Sequence, residues 1–221
     1  MDYPFEIHRV PGAQALAKLD ELRKRGKGVA IILGNEDTFK RIAENMEHNG
    51  DTTPEEFLKS AHNLDPLQWL DQREAEDPEY YDIKPQQWPE HASPNCNLSA
   101  HCDTLTRKPY AEVILTVLPA DDTWMAPCYL RIGNWNSVPK ADEHAAMFKY
   151  WNERFGATVA CIADDVIEFT VTKPPKTKPE ALDLAKQQFI YCADIVHQGV
   201  DSIEALAATL LNAPVWYFWW D

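Results

Sequence analysis

Basic side chains are scarce in this sequence. Its 221 residues contain 21 Lys and Arg against 35 Asp and Glu, so the formal net charge at pH 7 is -14. Proteins that bind nucleic acid need clustered Lys and Arg to contact phosphates, and an anionic membrane surface attracts the same residues. We therefore expect no nucleic acid and no membrane as partners. An excess of carboxylates instead favours solubility, or association with a basic protein.

Long apolar segments, secretion signals and cysteine motifs are also missing. Residues 215–220 are apolar throughout, but a bilayer span needs about 20 such residues. Residues 1–6 have neither the basic nor the apolar region of a signal peptide. The five cysteines show no CxxC spacing, which favours a reducing compartment. With no recognised catalytic motif either, we expect a cytoplasmic protein that binds no cofactor, and enzymatic activity is not favoured.

The end of the sequence is its most distinctive stretch. Pro214 is followed by Val-Trp-Tyr-Phe-Trp-Trp and then by Asp221. A short run of β-favouring residues behind a proline is typical of a strand buried on both faces. We therefore predict a C-terminal aromatic strand that is internal in a sheet.

Hydrophobic periodicity divides the rest of the chain into strands and helices. Apolar or alternating runs predict strands at 5–10, 29–33, 111–118, 128–132, 158–163 and 166–172. Helical spacing and N-cap signals predict helices that start near residues 13, 35, 53, 65, 139, 177 and 202. The first two strands are predicted to form a parallel βαβ unit. In the strand at 166–172, polar residues alternate with apolar ones, which places Glu168 on a face exposed to water.

These elements predict an α/β (α+β-like) fold, a mixed β-sheet with helices packed on it. We expect a single domain over residues 1–221. Residues 1–95 form an N-terminal βαβα portion plus an acidic helical excursion. Residues 96–221 form a ββαββααβ portion.

Several short motifs in the second half resemble one family. They are Gly-Asn-Trp-Asn at 133–136, the Phe148 and Trp151 pair, Asp-Ile-Val-His-Gln-Gly at 194–199 and the closing stretch 216–221. Together they cover roughly residues 110–221 and resemble the bacterial family known as domain of unknown function 4253 (DUF4253). Because that family has no established activity, the resemblance implies an architecture and no catalytic residues.

Two sets of residues carry the chemistry of a candidate site. Asp194 and His197 are spaced i, i+3, so a helix would place them on one face, where a carboxylate can charge an imidazole. With His144 they are the candidates for a hydrolase-like acid/base site, but a helix end stopped by Gly199 explains the same residues. His144 itself is expected to be a partly exposed structural histidine. Any pocket is expected among a set of nearby polar and aromatic residues: Trp135, Asn136, His144, Asp194 and Gln198.

The second set consists of His and Cys residues in or near a proline-rich loop at 83–97. Thiolate and imidazole are the preferred ligands of zinc, so a metal or small-molecule sensor is a further alternative. The spacing does not match common zinc sites, and incidental ligands on a flexible loop are the favoured explanation of the pattern. The candidate ligands are His91, Cys96, His101 and Cys102.

The segment 71–82 holds six carboxylates and one Arg, with aromatic residues on and around it. Aromatic anchors ringed by charge are typical of protein interfaces, and carboxylates attract a basic partner. A solvated loop explains the same pattern. Our leading hypothesis is a non-enzymatic protein-interaction module, such as an immunity protein that neutralises a basic toxin. The candidate partner-binding residues are Trp69, Glu74, Glu76, Asp77, Glu79, Tyr80, Tyr81, Asp82 and Trp88.

Overall fold

A computed structural model describes residues 3–221 as a six-stranded mixed sheet with helices on both faces. The strands are β1 (Glu6–Val10), β2 (Val29–Gly34), β3 (Val113–Leu118), β4 (Ala157–Ile162), β5 (Val166–Val171) and β6 (Val215–Trp219). The helices are α1 (Ala15–Arg25), α2 (Glu36–His48), α3 (Pro54–Asn63), α4 (Pro66–Glu76), α5 (Ala126–Leu130), α6 (Ala141–Phe155), α7 (Lys178–Tyr191) and α8 (Ile203–Leu210). The predicted fold class, a mixed sheet with helices packed on it, is confirmed.

The strand order is β1-β3-β2-β4-β5-β6. β3 pairs antiparallel with both β1 and β2. The two N-terminal strands are therefore parallel to each other, as predicted for a βαβ unit, but β3 lies between them. β2 and β4 pair in parallel, with Ile32 opposite Cys161. β4, β5 and β6 then form an antiparallel meander.

Each face of the sheet has its own apolar core. The larger core joins one face to α2 and the later helices, and the rings of Phe148, Trp151 and Phe218 lie at its centre. The smaller core joins the other face to α1, through Leu19 and Leu22. Helices α2, α3, α4, α7 and α8 begin at the predicted caps, since the side chains of residues 35, 53, 65, 177 and 202 accept backbone N–H groups in the first turn.

The predicted internal position of the C-terminal strand is wrong. β6 pairs with β5 alone and lies at the edge of the sheet. Trp216, Phe218 and Trp220 are nevertheless buried, because alternate residues of a strand point to the same face and this face meets the larger core. The edge is partly covered, since the Cys192 thiol donates to the Trp219 carbonyl at 3.1 Å.

The predicted strand at 128–132 is also wrong, because α5 occupies this part of the chain. Pro127 lies in the first turn of α5, where its missing N–H is tolerated. The helix ends at Arg131, whose φ of 48° is left-handed. The second half therefore reads βααββααβ in the structure, with a helix in place of its second predicted strand.

Glu168 of β5 was expected on a wet face, but its side chain is fully buried. Residues 95–102 cross over the sheet at this point and cover it. One carboxylate oxygen accepts the N–H and the hydroxyl of Ser99, both at 2.7 Å, and the other accepts the N–H of Ala100 at 3.0 Å. Glu168 thus holds the crossing segment, because these charge-assisted bonds compensate for burying the carboxylate.

We expect Glu168→Ala to lower the free energy of unfolding by about 2 kcal/mol, because three donors lose a charged acceptor while a buried charge is removed. Urea denaturation measures this change. Glu112→Ala is the control, because Glu112 lies on the surface and pairs with Arg9 at 2.8 Å. This control is expected to cost less than about 1 kcal/mol, and equal losses in the two variants would contradict the role of Glu168.

Candidate functional site

The segment 71–82 forms a strongly acidic surface at the end of α4. Of its six carboxylates, Glu74 pairs with Lys186 at 3.1 Å. The other five residues are exposed, and within the described residues 3–221 none of them forms an ion pair. These five, which we call the acidic ridge, are Asp71, Glu76, Asp77, Glu79 and Asp82.

Arg73, the one basic residue of this segment, is turned toward the protein body. Its guanidinium donates to the carbonyl of Ile190 at 3.0 Å and to the carbonyl of Ser137, and it stacks over Trp69 at 5.3 Å. The charge of Arg73 therefore serves to dock α4 on the body and does not pair with the carboxylates beside it. Its position leaves the acidic ridge with a high density of uncompensated negative charge.

The aromatic residues around the ridge pack mostly on the protein itself. The ring of Tyr81 meets Phe189 at 5.5 Å, and Lys178 lies over the ring of Trp88 at 4.5 Å. Trp69 is half-buried under Arg73. Tyr80 stays 38% exposed. The structure thus leaves this surface dominated by charge, with Tyr80 as its exposed aromatic side chain.

Asp194 and His197 do not pair with each other. They lie at a π-helical turn, Ile195–Val200, that follows α7. His197 bonds through Nε2 to the carbonyl of Tyr80 at 3.0 Å, and its ring meets the ring of Tyr80 at 4.7 Å. Asp194 accepts the N–H of Asp221 at 3.1 Å and the side-chain amide of Gln198 at 3.4 Å. The two residues thus hold different parts of the chain.

His144 was expected to be partly exposed, but it is completely buried in the larger core. Its Nδ1 lies 2.5 Å from the hydroxyl of Tyr191. Burial, with a smaller contribution from the charge of Arg73, lowers the pKa of His144 to about 3. A neutral histidine sealed among aromatic rings cannot exchange protons with a substrate in solvent, so the three candidate catalytic residues do not form one site.

The residues predicted to surround a pocket meet around the end of the chain. Asn136 donates to the carbonyl of Asp221 at 3.3 Å, and Asp194 accepts the N–H of the same residue. Trp135 instead lines a shallow depression beside α2, with His48 among its neighbours. Asn136 and Asp194 therefore anchor Asp221, and Gln198 supports this anchor through its bond to Asp194.

The candidate metal ligands are not gathered into a metal site. Among residues 3–221, no group of three or more His, Cys, Asp or Glu side chains is arranged to hold a metal ion. Cys96 is exposed and donates to the Pro94 carbonyl at 3.4 Å, and His91 is also exposed. His101 and Cys102 line a cleft on the α1 side of the sheet. Burial raises the pKa of Cys102, which favours the thiol over the nucleophilic thiolate.

Fold and surface together define a mixed α/β protein with an exposed acidic ridge. Residues 114–221 match the model of the family described as Domain of unknown function (DUF4253). The resemblance seen in the sequence motifs is therefore confirmed over this part of the chain. No curated protein and no solved structure matches the sequence. Among residues 3–221, no helix combines the length and apolar character needed to cross a membrane.

Proposed function

We propose that this chain is a non-enzymatic protein-interaction module that binds a basic protein through the acidic ridge. The observation that carries the proposal is the inward turn of Arg73. Within residues 3–221 it leaves the five exposed carboxylates of the ridge without an ion-pair partner. Unpaired surface carboxylates attract a basic partner over several ångströms and set its orientation. The net charge of -14 acts in the same direction.

The finer proposal concerns the partner. A basic toxin in a bacterial cytoplasm would present the clustered cations that such a ridge neutralises, and the chain would then act as its immunity protein. The dispersal of Asp194, His197 and His144 supports a binding role over a hydrolase built on these residues. Tyr80 is exposed beside the ridge. Its ring can supply the apolar contact that stable protein interfaces have in addition to their charge pairs.

Neutralising the ridge is expected to abolish stoichiometric capture of one basic protein from a lysate of the source organism. The variant replaces the five Asp and Glu residues of the ridge with Asn and Gln. We expect the affinity of this variant for the partner to fall at least about tenfold, because Coulomb attraction is lost. Capture by the unchanged protein is expected to weaken as salt rises, because salt screens the same attraction. Calorimetry with the purified partner measures the loss.

A matched variant tests whether the position of the charge matters. It neutralises five exposed carboxylates elsewhere and so has the same net charge: Asp20, Glu47, Asp51, Glu55 and Asp121. This variant is expected to capture the partner as the unchanged protein does. Equal losses in both variants, or the absence of any stoichiometric basic partner at low salt, contradict the proposal. The immunity role further requires that the partner alone arrests growth and that coexpression restores it.

A further inference from the structure

A second candidate site lies on the opposite side of the sheet from the larger core. A cleft of about 1030 Å³ opens there between α1, the start of α2, residues 95–107 and β6. We call it the strap cleft, because residues 95–102 cross over the sheet as one of its walls. Gly34 at the end of β2 and Ala163 just after β4 both line it. Since β2 and β4 run parallel, the cleft lies beyond the carboxyl ends of a parallel pair, where α/β sheets bind ligands.

The walls of the strap cleft are held in place by bonds to β5 and to the turn before α1, and by a bond within the wall segment itself. Glu168 of β5 holds the strap through residues 99 and 100. The N–H of Tyr110 donates to the carbonyl of His101 at 3.0 Å, and the carbonyl of Tyr110 accepts the N–H of Gly12 at 3.0 Å. The second bond joins this segment to the turn before α1. A cleft whose walls are fixed in advance binds a ligand with a smaller entropic cost.

The charge inside the strap cleft is balanced, in contrast to the acidic ridge. Arg107 and Asp165 are its charged lining residues, one of each sign. Burial lowers the pKa of His101, so the imidazole near them is neutral at pH 7. A cleft with one cation and one carboxylate among its lining residues offers no net charge to attract a highly charged ligand.

The N-terminus of α2 reaches the cleft but does not provide a phosphate site. The side-chain oxygen of Asn35 already accepts the N–H groups of Asp37 and Thr38, each at 3.0 Å. Glu36 and Asp37 add negative charge to the same turn. Phosphate binds to free backbone N–H groups and to the positive end of a helix. Here Asn35 occupies the N–H groups, and the two carboxylates offset the positive charge. We therefore expect an uncharged ligand.

The surface of the cleft combines flat rings with hydrogen-bonding groups. Tyr217 and Trp219 project from one face of β6, and Tyr110 lines the cleft with them. Nucleobases stack on such rings. A guanidinium donates two parallel N–H groups to the O6 and N7 atoms of guanine, and a carboxylate accepts base N–H groups. Arg107 and Asp165 supply these two functions in the same cleft.

We propose that the strap cleft binds a neutral nucleoside, with its base on Tyr217 and Trp219 and its polar edge bonded to Arg107 and Asp165. This site is independent of the acidic ridge and goes beyond a protein-interaction role. A neutral ligand also agrees with the scarcity of Lys and Arg in the sequence. This scarcity disfavours the binding of polyanions and does not affect the binding of an uncharged base.

Calorimetric titration with guanosine tests the proposal, with guanosine monophosphate and glucose as comparison ligands. Guanosine is expected to bind, and Arg107→Gln to weaken its binding about tenfold or more. Lys108→Gln is the matched control, because Lys108 is the next residue, is exposed and does not line the cleft. It is expected to change the affinity less than about twofold. Because Arg107 is also exposed, both variants are expected to keep the fold, which circular dichroism checks.

Three results would overturn the proposal: no binding of guanosine, equal loss in Arg107→Gln and Lys108→Gln, or binding of glucose or guanosine monophosphate as tight as that of guanosine. Tyr217→Phe gives a second test, since it keeps the ring and is expected to keep the binding that stacking provides. The variant with a neutralised acidic ridge is expected to bind guanosine normally. Failure of the nucleoside site and failure of the interaction proposal are therefore distinguishable.

Discussion

Acidification from about pH 6.5 to about pH 4 is expected to lower the free energy of unfolding by about 3 kcal/mol through His144 alone. The pKa of this buried residue is lowered to about 3 in the folded chain, chiefly because burial penalises the charged ring. The unfolded chain takes up the proton below its ordinary pKa of 6.5. Between these two values the unfolded state binds more protons, so stability falls with falling pH by about 1.4 kcal/mol per pH unit.

Urea denaturation at a series of pH values measures this slope. The double variant His144→Phe/Tyr191→Phe removes the imidazole and the hydroxyl together, so neither is left buried without its partner. It is expected to lose most of the slope between about pH 6.5 and pH 5, a range above the ordinary pKa of carboxylates. A smaller slope remains, because burial also lowers the pKa of His101. His91→Phe changes an exposed histidine and is expected to keep the slope. Parallel stability curves for the double variant and the unchanged protein would show that His144 is not the responsible group.

Trp216→Ala is expected to lower the free energy of unfolding by about 3–5 kcal/mol, because it empties a large site in the larger core. Trp216 is 1% exposed, and its ring meets Phe155 at 5.5 Å and Trp151 at 5.9 Å. Thermal and chemical denaturation both measure the loss. If the variant does not fold, Trp216→Phe gives a smaller change that keeps the comparison measurable.

Trp219→Ala is the matched control for this prediction. It removes the same side chain from the same strand, but Trp219 is half-buried and faces the strap cleft. We expect a loss of about 1–2 kcal/mol, within the range common for partly buried residues. A loss as large as that of Trp216→Ala would mean that both faces of β6 contribute equally to the packed core.

Local signals in the sequence predicted most of the elements, because capping chemistry and helical periodicity act over a few residues. Thr53 and Thr177 each form the capping box that their spacing to a glutamate predicts. Such local signals do not determine where β6 lies in the sheet. A run of aromatic residues does not show which neighbour pairs with it, and an edge strand with one face in a dense core has the same composition as an internal strand.

Asp194 and His197 do not form the pair that their spacing predicts, for a related reason. Asp194 and His197 have a spacing that brings side chains together on an α-helix, but the chain forms a π-helical turn there and each side chain finds a distant partner. The burial of Glu168 depends on a segment about 70 residues earlier in the chain, which no alternation pattern within β5 reveals. Arg73 turns inward because it meets carbonyls of Ser137 and Ile190, and those contacts exist only in the folded chain.

The insertion of β3 between β1 and β2 has a consequence for synthesis and dissection of the chain. β1 and β2 are complete by residue 34, yet the strand that joins them begins at Val113. Until then both strands have an open edge, and the loop that must close is long, which slows folding and favours late, cooperative assembly. The family match starts at residue 114, within β3, so this boundary does not coincide with the boundary of a structural unit. A fragment that ends there contains β1 and β2 without the strand that joins them. A fragment that begins there contains β3 and β4 without β2, which lies between them in the sheet.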